Sequence, residues 1–134
     1  MAAKRKKLCN YSIPEFLQLD TSNIALSAKD ADDALRMAIE AKTLTDAITK
    51  QVINHRNGIH YVIAMKWLSK NTYKNFEAMN KAHGICSNHY HDAMAAEIKA
   101  SDLMETLTNL TEHLLTQEGR ENEIPEAMSK IQNA

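Results

Sequence analysis

Three glycines and two prolines in 134 residues constrain this chain more than any other feature of it. An all-β sandwich or barrel reverses direction about every 8–12 residues and draws on Gly and Pro to do so. Five such residues cannot supply those turns. No two glycines lie close enough for a Gly-rich phosphate loop. The chain must therefore be helical, and its helices must be long. The length fits one domain of ordinary size, large enough to fold without disulfides or a metal.

Apolar periodicity places the helices. A long one is expected over about 28–56, capped by Ser27, with Ala34, Met37, Ala41, Leu44 and Ile48 spaced 3, 4, 3, 4 along one face. Asn57-Gly58 should stop it, because Gly tolerates the left-handed conformation that closes helices. A second is expected over about 59–82, carrying Val62, Met65, Phe76 and Met79, with a polar middle at Ser69, Asn71 and Thr72 that can break it. His83-Gly84 should end that one. A third is expected over about 88–117, stopping at Gly119, with Ala93, Ala96, Ala100, Leu103, Leu107, Leu110 and Leu114 on a heptad seam. Met94, Ile98, Met104 and Leu115 widen its apolar face, so it should touch more than one neighbour.

Short elements flank these rods. Ser12-Ile13-Pro14-Glu15 reads as a capping box opening a helix to about Leu19, where Asp20-Thr21-Ser22-Asn23 should end it. Pro125 opens a last short helix with Met128 and Ile131. Residues 1–11 read as a flexible basic arm, and residues 12–134 as a single helical domain. The fold class expected is an all-α antiparallel bundle of three long helices plus short terminal ones. Its unmatched apolar stripe calls for self-association. Asp33–Thr49 also aligns without a gap on Asp92–Thr108, with Asp, Ala, Ile, Ala, Leu and Thr identical at six positions. Either the hairpin is duplicated or two Ala-rich amphipathic helices resemble one another.

Charge excludes a general nucleic-acid coat: 16 Lys and Arg stand against 17 Asp and Glu. The local exception is Lys4-Arg5-Lys6-Lys7. Together with Lys66, Lys70, Lys74 and Lys81 it forms an alternative nucleic-acid surface, since Tyr61, Trp67 and Tyr73 lie among those lysines and aromatic rings can stack on bases. No apolar run reaches the about 18 residues of a membrane span, and no signal peptide is visible. Cys9 and Cys86 form no disulfide framework, so a reducing, cytoplasmic setting is expected.

Two clusters could carry chemistry. His83, Cys86, His89 and His91 supply the donor types that zinc prefers, but not at the spacing of any standard finger. His55-Arg56-Asn57-Gly58-Ile59-His60 pairs a cation with an imidazole, which can hold a phosphate and move a proton. This pair resembles the RNA-cleaving motif of HEPN-type ribonucleases, also small and all-helical, although Arg56 and His60 stand closer together than in that motif. The resemblance covers these residues only. It implies a phosphate-binding Arg56 and a general acid or base at His60.

The function expected is a non-enzymatic protein–protein interaction module, such as a small regulator, adaptor or chaperone. It would need no cofactor or metal and would act through an exposed apolar helical face. The interface residues expected are Trp67, Phe76, Leu103, Leu107, Leu110 and Leu114. The partner would be another protein or a second copy of the chain.

Overall fold

The structure, a computed structural model, describes residues 6–68 and 73–134, and all of their side chains except those of 66–76. Lys4, Arg5 and Lys70, and the side chains of Lys66, Trp67, Lys74 and Phe76, therefore lie outside the described residues. The fold is all-helical, with no strand among the described residues. Two short helices, α1 (Ile13–Leu17) and α2 (Thr21–Leu26), precede two long ones, α3 (Ala31–Leu68) and α4 (Tyr73–Gln117). A last short helix, α5 (Ile124–Gln132), closes the chain.

The three expected rods are thus two. The stops at Gly58 and Gly84 do not occur: α3 runs through the first and α4 through the second. Among the described residues Gly119 alone has a positive φ, at 72°. A helical Gly costs only about 1 kcal/mol relative to Ala. Packing along a seam many turns long outweighs that. Gly119 behaves as the sequence leads one to expect. Its N–H donates to the Thr116 carbonyl and the Arg120 N–H donates to Leu115, which closes α4 in a Schellman arrangement.

At about 1.5 Å per residue, α3 and α4 extend about 57 and 68 Å. Two contacts fix them as antiparallel. The Ala31 N–H donates to Glu118 Oε2 at 2.9 Å, and the rings of His55 and His89 stack with centroids 5.6 Å apart. Between those points Ile48 comes level with Ala96 and Ala100, and the Ala34–Ala41 stretch with Leu107 and Thr111. Each helix sets its small half against the large half of the other. All ten residues at the seam positions Ala34/Ala93, Met37/Ala96, Ala41/Ala100, Leu44/Leu103 and Ile48/Leu107 are buried. The internally similar segments therefore share one seam and play equivalent parts in it.

The heptad reading fails past Leu107. Thr111 and Leu115 are buried there, whereas Leu110 and Leu114 are half-buried. A helix that is not supercoiled turns about 100° per residue. The azimuth of Ala93 then recurs at Thr111, one residue past the seam position that the heptad gives to Leu110. Thr111 fits because its hydroxyl donates to the Leu107 carbonyl at 2.7 Å.

The short elements thicken one end of this hairpin into a body. The Ser12–Glu15 capping box forms, with both reciprocal bonds present. That Ser12 N–H, together with Lys6 at 3.0 Å, lowers the Glu15 carboxyl to about 2. Asp20 does not merely end α1. It caps α2, accepting from the Ser22 N–H. Ser27 closes α2 instead of capping the long helix. The α3 start is set by Asp30, which accepts from the Asp33 N–H at 2.8 Å. The segment read as an arm over 1–11 carries Leu8, which is 1% exposed in the core.

Lys99 locks α1 onto α4. Its Nζ donates to the carbonyls of Phe16, Leu17 and Leu19 at 2.8, 3.0 and 2.5 Å, where a helix C-terminus favours a cation. Arg120 ties the other side. It reaches Glu123, Glu118 and Asp32, and these carboxylates, Glu123 first, raise its already high pKa.

Beyond this body the hairpin continues alone as a stalk, residues 50–68 and 73–91. Among its described side chains only Val62 is buried.

Candidate interaction surface

Helix α5 covers one side of the hairpin and then stops. Its last turn lies against α3, where Lys42 Nζ donates to the carbonyls of Gln132 and Ala134 at 3.3 and 3.4 Å. The same side of α3 continues toward the tip at steps of 3 and 4: Lys42, Thr45, Thr49, Ile53, Arg56, His60, Ile63. Across from it, α4 presents Ser101, Ile98 and Met94. An open groove of about 340 Å³ begins directly beyond α5, lined by Thr45, Thr49, Glu97, Ile98, Ser101 and Asp102.

Four large apolar side chains stand along this row without cover. Ile53 is 41% exposed, Ile63 40%, Met94 39% and Ile98 63%. Scattered surface apolars are ordinary, but a row in line with the bed of a packed helix marks a surface that takes a further element. Among the described residues nothing takes that place.

The residues singled out from the sequence are placed differently. Leu103 and Leu107 are 3% and 0% exposed, enclosed by the chain's own α3, so they are core and not interface. Leu110 and Leu114 are half-buried, and Leu114 packs near Leu115 and α5. The reason is direct: α3 supplies the rod that the sequence reading left missing, because it is one helix and not two.

Lys6 is bound to Glu15 and lies 5.1 Å over the Tyr11 ring, while Lys7 is exposed. Arg56 and His60 stand exposed one turn apart on an unbroken helix, not in a turn. His83, Cys86, His89 and His91 are strung along continuous α4. His89 turns toward His55 on α3, their planes 18° apart. Among the described residues no three His, Cys, Asp or Glu side chains converge as a metal site would require.

Ile53 and Ile63 were missed for an identifiable reason. The row crosses Gly58, and reading that glycine as a stop cut it in two. The signal that finds them is the 3, 4 spacing itself, carried through the glycine.

No family model, no curated protein and no solved structure matches this chain. Among the described residues no helix is long and apolar enough to cross a membrane.

Proposed function

We propose that this protein is a non-enzymatic interaction module that pairs with a second copy of itself along the open face of the stalk, joining two hairpins into a four-helix bundle. The observation that carries the reading is the uncovered row Ile53, Ile63, Met94 and Ile98, in line with the bed of α5. Charge along the same face favours an antiparallel two-fold pairing. Its body end carries Glu97 and Asp102, and its stalk end carries Arg56, so the two ends are complementary when one copy is reversed on the other. The face measures about 30 by 20 Å, or about 600 Å² per copy, at the lower end of what a specific interface buries. His60 sits within this face as a polar neighbour of Arg56.

The test is sedimentation of the wild-type chain beside an Ile53→Asp/Ile98→Asp chain. The wild type should sediment as a dimer. The variant should sediment as a monomer of unchanged helicity, since both side chains are already partly in water. A wild-type monomer at high protein concentration, or a variant that remains dimeric, contradicts the reading.

A further inference from the structure

The body is acidic, yet its cations are not spread evenly over it. Residues 6–49 and 92–134 hold eight Lys and Arg against sixteen Asp and Glu. Four of the eight, Lys6, Lys7, Lys29 and Arg36, line a single groove of about 480 Å³, together with two of the sixteen acids, Asp33 and Glu40. Three segments of chain build this groove. The entry to the turn Leu8–Asn10 forms one wall, the end of α2 with the link that follows it a second, and the first turns of α3 the third. On α3 the lining residues Asp33, Arg36, Met37 and Glu40 fall at steps of 3, 1 and 3, so they share one face of the helix. The floor is apolar: Leu8, Ile24 and Met37 are buried. Lys7 and Lys29 are exposed at the rim.

Both carboxylates of the groove are already engaged. Asp33 accepts from Arg36 at 2.7 Å and from the Lys29 backbone N–H at 3.1 Å, and Glu40 accepts from the other Nη of Arg36 at 3.0 Å. Lys6 is held by Glu15. Elsewhere in the body Lys42 meets Asp46, Lys99 caps α1, Arg120 binds three carboxylates and Lys130 meets Glu126. Two body cations remain whose ammonium groups make no hydrogen bond or ion pair among the described residues, Lys7 and Lys29. They stand on separate walls of the same groove. Two like charges gathered at one groove without a counter-charge of their own favour an anion there.

We propose that this groove binds a small carboxylate carrying an apolar body, of the size of a medium-chain acid. The carboxylate meets Lys7 and Lys29 at the rim, and the alkyl chain lies over Leu8, Ile24 and Met37. A few placed charges fix the orientation of the ligand while an apolar floor takes its bulk, as in most small-molecule sites, and the volume lies within their range of about 300–1,000 Å³. This inference does not rest on self-association, because the groove shares no residue with the row Ile53, Ile63, Met94 and Ile98.

The test is an NMR titration of the full chain with octanoate, butanoate and octanol, read from backbone amide shifts. Octanoate should bind saturably, with the largest shifts at Leu8, Ile24, Ser27 and Met37. Each methylene that leaves water tightens binding about fourfold when fully buried, so octanoate should bind at least about tenfold more tightly than butanoate in this open groove. Octanol, which lacks the charge, should bind at least about tenfold more weakly than octanoate. A Lys7→Glu/Lys29→Glu chain should lose at least about tenfold in affinity for octanoate, and Lys7→Gln/Lys29→Gln should fall between it and the wild type. Both lysines are exposed, so amide shifts far from the groove should be unchanged in either variant. Lys130→Glu, outside the groove, should bind as the wild type does. Any of three results overturns the proposal: no saturable shifts at the groove, a charge-reversed chain or octanol that binds as well as octanoate binds the wild type, or octanoate shifts that fall along the Ile53–Ile98 row instead.

Discussion

Replacing Leu107 by Ala is expected to destabilise the fold by about 3–4 kcal/mol, whatever the oligomeric state. Leu107 is fully enclosed. It sits where the large half of α4 meets the small half of α3, in one buried cluster with Ala38 and Ala41. Alanines on rigid helices cannot swing in to fill the space of a lost isobutyl group, so a cavity persists and adds to the lost transfer energy. Such a loss is a large part of the stability of a domain this size. Urea unfolding followed by circular dichroism measures it. A chain that keeps wild-type stability and merely changes its sedimentation would put Leu107 at an interface between copies, against the structure.

Phe16→Ala is expected to cost about 4 kcal/mol and to release the N-terminal segment from the body. Among the described residues Phe16 is the largest fully buried side chain. It anchors a helix of five residues, far too short to persist without tertiary contacts. The Lys99 ammonium lies 5.2 Å over its ring while donating to its carbonyl. Loss of the ring therefore loosens the geometry of the cation as well. Hydrogen exchange reads the effect locally. Amides of α1 and α2 should lose protection, while those at the α3–α4 seam keep most of theirs. Equal loss everywhere would mean that the short helices and the hairpin form one cooperative unit.

Much of the fold could be read from residue spacing. The seam positions from Ala34 to Ile48 and from Ala93 to Leu107, the capping box at Ser12, the turn at Gly119 and the last helix after Pro125 all follow from local chemistry, and all are present. What failed was punctuation. A glycine flanked by Asn or His is a strong local stop signal, yet it weighs only about 1 kcal/mol against a long packed seam. That decision rests on tertiary contacts and is invisible in a short window. The error propagated: with α3 cut at Gly58, the leucines of α4 had no partner and read as an interface.

The candidate surface was legible only in part. Met94 and Ile98 were seen to widen the face of α4. Ile53 and Ile63 join them only when α3 and α4 are both unbroken and antiparallel.

The proposed self-association depends on α3 and α4 running uninterrupted through Gly58 and Gly84. The most direct test is the unfolding free energy of a Gly58→Ala/Gly84→Ala chain. A methyl group at either position meets no atom within 4 Å, and neither glycine has a positive φ. Alanine should therefore fit and, by lowering the entropy of the unfolded chain, raise stability by about 1–2 kcal/mol for the pair. A fall in stability would mean that these glycines close helices in the left-handed conformation, and that the stalk does not exist in this form.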